Sequence, residues 1–327
     1  MSSKVMVTGA SGWLGRRLVN RLVLQKREVV SVDYFKGNQE FPEFSKNKGQ
    51  VKIVNGDIRS PEQFGEVFND CETVFNCAGV QHPLFTSYLY SVNRNAPVGL
   101  LKFCIKSNVK NFVHISSAIV HGENIGKSII TENTPFRPFT HYGISKAQGE
   151  KLLVKLGRKS KVKTVIIRPA AFYGVNPSKN LVQLIMNVKN NFAFVFGDNG
   201  FLRTYVDIEN VVDSMLLVEK YGKNCEAYLV GDKKPITTLQ LYQYIADELY
   251  IKLKVMRLPK LLSRLSEKLS FTAGRFNLHL RIPNIIGEFG RTHYFSSEKA
   301  VREIHYKPHE SPEKGLKAMA RSVLRKD

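Results

Sequence analysis

Tyr142 and Lys146, in the stretch HYGISK, stand four residues apart. On a helix that spacing puts a phenol and an ammonium on one face, a turn apart. A free phenol has a pKa of about 10 and is no base at neutral pH. A nearby cation favours the phenolate. The same spacing also occurs in plain solvent-exposed helix pairs, so the chemistry depends on where the helix lies. Ser116 and Ser117 end the apolar run NFVHISS. One hydroxyl there could hold a substrate oxygen beside Tyr142, while the other only caps the strand. Such a set suits proton transfer to or from a substrate hydroxyl.

A second group, VTGASGWLG, spaces Gly9, Gly12 and Gly15 by three between an apolar run and a helix-like stretch. Glycine permits a sharp turn, close backbone approach to phosphates and tight helix–strand packing. The helix start adds free N–H donors and the positive end of its dipole. A tight structural turn is the other reading of three glycines. Asp33, at the end of VVSVD, tips the balance toward a dinucleotide site. About 20 residues beyond such glycines, a carboxylate accepts ribose hydroxyls and repels a 2′-phosphate, so NAD is expected over NADP. Lys36 counts the other way, because it could swing toward a phosphate. Asp57, in NGDI, could reach an adenine edge or N-cap the helix after Ile58.

The elements that must position these residues alternate. KVMVTG, EVVSVDY, VKIVNGDI, TVFNCAG, NFVHISS and KTVIIRPAAFYG are short, β-branched apolar runs. Helices are expected between them over about 13–25, near 61–68, near 93–107 and over about 146–156. Continuous apolar strands separated by helices mean parallel strands buried on both faces. The expected fold class is α/β, a Rossmann-type doubly wound parallel sheet with ligands at its carboxyl edge. AYLVGD reads as one more sheet strand, and TLQLYQYIADELY as an amphipathic helix. Residues 1–172 with about 205–232 are expected to form the coenzyme domain. About 173–204 and 233–315 form a smaller, interleaved substrate lobe, and 316–327 a basic tail.

Together, Gly9-x-x-Gly12-x-x-Gly15, NCAG, Ser117-Ala-x-Val-x-Gly122, Tyr142-x-x-x-Lys146 and Arg168-Pro169 resemble the extended short-chain dehydrogenase/reductase family. That group is also called the NAD-dependent epimerase/dehydratase family, and the likeness spans nearly the whole chain. The resemblance implies that Gly9, Gly12, Gly15 and the backbone of Trp13 and Leu14 hold a pyrophosphate, with Asp33 on the adenosine ribose. It implies that Asp57 and Ile58 frame the adenine, and that Ala78, Gly79 and Pro169 line the coenzyme cleft. Tyr142 would be the general acid/base, Lys146 would bind the nicotinamide ribose and tune Tyr142, and Ser117 would orient the substrate oxygen. Asn93 matches a supporting helix residue. Position 121 is often Tyr in relatives and is His121 here, on the expected substrate-facing surface. A homodimer through two helices flanking the sheet is implied as well.

For the substrate, Arg203 matches an arginine that binds the diphosphate of nucleotide sugars in relatives. The acidic pair of the 4,6-dehydratases is missing, since Ala118 and Ile119 stand there. Leu258, Leu261, Leu262, Leu265 and Leu269 fall on one helical face, with Lys260, Arg264 and Lys268 on another. This layout resembles the 3β-hydroxysteroid dehydrogenase-like branch, whose members act on apolar hydroxy or keto substrates. The helix could shape an apolar pocket, lie on an anionic membrane surface as a peripheral contact, or simply pack the lobe. Three functions stay open: a 3β-hydroxysteroid dehydrogenase-like oxidoreductase, a nucleotide-sugar 4-epimerase or reductase, and a non-catalytic NAD sensor.

Bulk properties narrow the setting. The 327 residues carry a net charge of +21, which attracts anions. The cations are spread along the chain with no aromatic-interleaved block, so no specific nucleic-acid site is expected. Cys71, Cys77, Cys104 and Cys225 lack metal spacing and read as reduced thiols of a cytoplasmic protein. No metal is expected. No apolar run is long enough to span a bilayer, and no secretory signal is expected before the first strand.

Overall fold

Apolar runs without alternation cannot lie on a sheet with one wet face, and the chain answers by covering both faces of its sheet with helices. The computed structural model describes residues 4–35, 51–126 and 128–324. Lys36 therefore lies outside the described residues. In chain order the first half runs β1 (Lys4–Thr8), α1 (Trp13–Leu24), β2 (Glu28–Asp33), β3 (Val51–Asn55), β4 (Cys71–Asn76), α2 (Thr86–Tyr90), α3 (Ala96–Lys106), β5 (Asn111–Ile115), α4 (His141–Gly157) and β6 (Lys163–Pro169). The second half adds β7 (Ala171–Tyr173), α5 (Lys179–Lys189), β8 (Ala193–Phe196), β9 (Leu202–Arg203), β10 (Tyr205–Asp207), α6 (Ile208–Tyr221), β11 (Ala227–Val230), β12 (Ile236–Thr237), α7 (Thr238–Glu248), β13 (Val255–Leu258), α8 (Lys260–Arg275), α9 (Arg281–Phe289), α10 (Glu298–Ile304) and α11 (Glu313–Leu324).

Seven strands form one parallel sheet in the order β11-β6-β5-β4-β1-β2-β3. The order reverses between β1 and β4, which opens a crevice at their carboxyl ends. One face is covered by α1 and α6, through Leu18, Leu22, Val211 and Met215. The other face is covered by α3 and the 61–68 segment, through Leu100, Leu101, Phe64 and Phe68. An ion pair from Arg21 to Glu209 ties α1 to α6, and one from Arg27 to Glu219 ties the turn after α1 to the same helix.

Four expectations change. The helix expected from 93 starts at Thr86 and passes through a π-helical turn at Ser91–Asn95 before Pro97 opens α3. The segment Pro61–Phe68 is a 3-10 helix, kinked where Phe64 leaves helical geometry. KTVIIRPAAFYG divides after Pro169, since β7 leaves the sheet to pair with β10. The expected tail from 316 belongs to α11, because Leu316, Met319, Ala320 and Val323 recur at helical spacing. These side chains complete a third core with Ile185, Leu241 and Ile245. Among the described residues no helix is long and apolar enough to cross a membrane.

Candidate active site

The glycine loop has no room for a side chain at Gly9 or Gly15. Gly9 sits at φ +68°, and a Cβ there would lie 2.6 Å from the Ala78 nitrogen. A Cβ on Gly15 would lie 2.1 Å from the Gly9 carbonyl oxygen. The loop, α1 and the end of β4 therefore press together backbone against backbone. Gly12 precedes α1 with no side-chain cap, which leaves the first-turn N–H groups of Trp13 and Leu14 at the loop's mouth. Close backbone packing at Gly9 and Gly15, joined to an uncapped helix start after Gly12, fits a pyrophosphate.

Asp33 Oδ2 accepts hydrogen bonds from the Ser11 backbone at 2.8 Å and from the Ser11 hydroxyl. Its carboxylate thus ties the end of β2 to the glycine loop, and Ser11 was not among the expected site residues. Asp57 binds Arg59, through the Arg59 backbone N–H at 2.9 Å and a two-point ion pair. The Arg59 hydrogen bond holds the Asp57 carboxyl below its ordinary value. The N-cap alternative for Asp57 is overturned, since Ser60 is the residue preceding the 3-10 segment. Ile58 is buried beside it.

At the next strand end, Ala78 closes on Gly9, and a Cβ on Gly79 would stand 3.1 Å from Lys146 Nζ. Asn93 lies in the π turn and bridges to the Val80 backbone, accepting from its N–H at 3.0 Å and donating to its carbonyl at 2.7 Å. It also donates to Ser145 at 3.2 Å, and Gly149 lets α4 seat against the turn. The widened turn is what brings Asn93 to both Val80 and Ser145.

Tyr142 and Lys146 lie on the first turns of α4, which starts where the Thr140 hydroxyl accepts from Gly143 N–H at 3.1 Å. Ser117 hydrogen-bonds the Tyr142 phenol and accepts from Ile119 N–H at 3.4 Å. Ser116 is the structural one of the pair, its hydroxyl donated to Glu150. Lys146 is buried and donates to the Ile115 carbonyl at 2.9 Å; burial lowers its ammonium to about 8. The expected lowering of Tyr142 is reversed in the chain's own field. Burial pushes the phenol above its ordinary value, the Glu288 carboxylate adds to this, and only the Ser117 hydrogen bond opposes it.

His121 does not line the cavity beside Tyr142. It is 1% exposed, with Nδ1 2.7 Å from the Thr134 carbonyl and Nε2 3.1 Å from Arg168 Nη1. A guanidinium can only donate, so Nε2 accepts and Nδ1 carries the proton. Desolvation and then Arg168 lower this imidazole to about 4, in keeping with a neutral ring. Arg168 in turn clamps the buried Glu150 at 2.7 and 2.9 Å. The motif residue Arg168 therefore anchors the strand end that presents Ser117.

Tyr142, Ser117, Trp13 and Pro169 open into a cavity of about 510 Å³. Its far wall comes from the second half of the chain: Leu181, Phe194, Leu241, Phe289 and Met319 are among the side chains that line it. Arg203 is on this wall as expected, donating to the Glu288 carbonyl and lying 5.8 Å from the Phe289 ring centroid. Two further polar groups were missed. Glu288 Oε1 and His82 Nδ1 are sealed from solvent with no hydrogen-bond partner, and both residues line the cavity. Burial raises the Glu288 carboxyl to about 7 and lowers His82 to about 4. Neither lies in a recognisable spacing. The Cys77 thiol is pushed up to about 12 by burial, which leaves it protonated and inert. Among the described residues no cluster fit for a metal occurs.

A parallel sheet with this crevice defines the chain as a dinucleotide-binding enzyme of the Rossmann type. The chain belongs to the NAD dependent epimerase/dehydratase family, whose model matches residues 5–231. It is an extended short-chain dehydrogenase/reductase, an NAD-dependent oxidoreductase or epimerase. It is 26% identical over 335 residues to the short-chain dehydrogenase/reductase family 42E member 1 of Xenopus laevis, covering 93% of this chain and 84% of that protein. It is 30% identical over 257 residues to the UDP-glucose 4-epimerase of Vibrio cholerae, covering 75% of this chain and 76% of that one. The solved UDP-glucose 4-epimerase of Thermotoga maritima superposes with a TM-score of 0.80 at 22% identity, covering 99% of each chain, which is a likeness of fold.

Proposed function

We propose that the chain is a 3β-hydroxysteroid dehydrogenase-like oxidoreductase that interconverts a bulky apolar secondary alcohol and its ketone. The supporting observation is the cavity beside Tyr142, whose far wall is mainly aliphatic and aromatic. Apolar walls with a few convergent polar groups suit an apolar ligand oriented by its oxygen. NAD, when bound, supplies the nicotinamide C4 that accepts or returns hydride. In this reading Gly9, Gly12, Gly15, Trp13 and Leu14 hold its pyrophosphate, and Asp33 holds the adenosine ribose. Asp57 and Ile58 flank the adenine, while Ala78, Gly79 and Pro169 line the cleft. Ser117 orients the substrate oxygen, Tyr142 moves its proton, and Lys146 holds the nicotinamide ribose. Residues 1–172 and 205–232 form the coenzyme half, and 173–204 with 233–315 form the substrate half, which α11 completes.

Tyr142→Phe should keep NAD affinity in calorimetry and lose about 10²–10⁴-fold in turnover. Unchanged turnover would remove Tyr142 from the reaction. The substrate class is tested by following NADH against a panel of cyclic and long-chain ketones.

A second reading, a nucleotide-sugar 4-epimerase, is supported by Arg203 and Arg281 on the cavity wall and by the likeness to the Vibrio cholerae enzyme. Specific thermal stabilisation by UDP-glucose, with no ketone turned over, would favour it. A chain that binds NAD and turns over neither class would be a sensor. The same proposal includes a homodimer through α3 and α4, which pack side by side on one sheet face. The free cysteines suit a reducing, cytoplasmic setting.

A further inference from the structure

Helices α8 and α9 form a hairpin with two unlike sides. On the inner side Ile285, Glu288 and Phe289 of α9 wall the cavity. On the outer side Leu261, Leu265 and Leu269, four residues apart, are 65%, 51% and 56% exposed. Leu262 is 45% exposed beside them, and past the helix end Phe276 is 81% exposed. Backbone hydrogen bonds from Thr86 to Asn277 and from His279 to Leu84 bring exposed Leu84 and Phe85 to the same end. Contiguous exposed apolar area on this scale marks a contact surface.

The leucines cannot turn inward, because α8 is already seated by its opposite, small face. Ser263, Ser270 and Gly274 are its buried residues. A Cβ on Gly274 would lie 2.2 Å from His141 Nε2, and one on Gly290 would lie 2.1 Å from Ser263 Cβ. The charges are sorted as well. Residues 251–290 hold eight Lys or Arg and only two acids, Glu267 and Glu288. Glu267 is paired with Arg291, and Glu288 faces the cavity, so neither presents a carboxylate outward. Lys260, Lys268 and Arg275 remain exposed beside the leucines.

We propose that this face docks on an anionic lipid bilayer, with the leucine stripe at the boundary between headgroups and acyl chains. An amphipathic helix with an apolar stripe, flanking cations and no outward acid matches that boundary in both hydrophobicity and charge. The cavity wall would then be the reverse side of the membrane-seated hairpin. The inference extends the proposed function without depending on which substrate the cavity takes.

The test is co-sedimentation of the whole chain with vesicles of phosphatidylcholine containing phosphatidylglycerol, against vesicles of phosphatidylcholine alone. Binding to the anionic vesicles should be at least about tenfold stronger, because charge attraction adds to apolar burial. Leu265→Ser/Leu269→Ser should lose about tenfold or more of that binding, with its circular dichroism and NAD affinity unchanged. Lys260→Gln/Lys268→Gln should lose only the advantage of anionic lipid. Three outcomes overturn the proposal. One is no vesicle binding; another is binding that the leucine changes leave intact. The third is a dimer at sedimentation equilibrium that the leucine changes dissociate, which would mean a second copy covers the face.

Discussion

Leu14, Leu18 and Leu22 on α1 have the same spacing as Leu261, Leu265 and Leu269 on α8. The first three are 7%, 0% and 0% exposed, and the second three are more than half exposed. On α1 the stripe meets the sheet, where Val5, Val7 and Val29 receive it. On α8 the body is met by serines and a glycine, and the leucines face outward. Helical periodicity says that an apolar face exists. It does not say what covers that face, because covering is decided by neighbours far away in the chain.

The contrast can be broken by substitution. Leu18→Ala should cost about 2–5 kcal/mol in urea unfolding, as truncation of a fully buried leucine leaves a cavity. A cost below about 1 kcal/mol would mean that α1 is not seated as described. Gly15→Ala tests the same helix at its start. The new methyl meets the Gly9 carbonyl, so a loss of about 1–3 kcal/mol is expected, with NAD affinity falling in calorimetry.

Glu288→Gln tests the far wall through pH. The Glu288 carboxyl is raised from 4.5 to about 7 by burial. Between those values the folded chain holds a proton that the unfolded chain has released. Stability from this group is therefore whole below pH 4.5 and is lost as pH rises through about 7. Asp232, also raised to about 7, acts in the same direction, so only the difference between wild type and variant isolates Glu288. That difference should be about 1–3 kcal/mol between acid and neutral pH, and it should be absent if Glu288 is solvated. The smallest effect belongs to α8. Leu265→Ala should shift stability by no more than about 0.5 kcal/mol, and a core-sized loss would show that its stripe is covered.

The same distinction governs how much was legible in the sequence. The glycine loop, Asp33 and the seven parallel strands could be read from residue order, because local sterics demand those residues at those places. Tyr142 and Lys146 were legible for the same reason, since one helix carries both. His121 was misplaced because its burial is set by Arg168 and Thr134, which no spacing connects to it. Asp57 has no capping role because its carboxylate is taken up by Arg59, and the 3-10 segment begins only at Pro61. Glu288 and His82 were missed since both reach the cavity only through the packing of α9 near the segment after β4, where Gln81 donates to Glu288 at 3.5 Å. Residues 316–327 were read as a basic tail because Lys317, Arg321, Arg325 and Lys326 masked a helical stripe of Leu316, Met319, Ala320 and Val323.

That last helix has a bearing on biosynthesis. Leu316 and Met319 line the cavity and close the third core, yet the ribosome makes them after every sheet strand. The nucleotide half can therefore condense on the nascent chain while the substrate chamber still lacks a wall. Catalytic competence in this fold arrives late, with the emergence of α11.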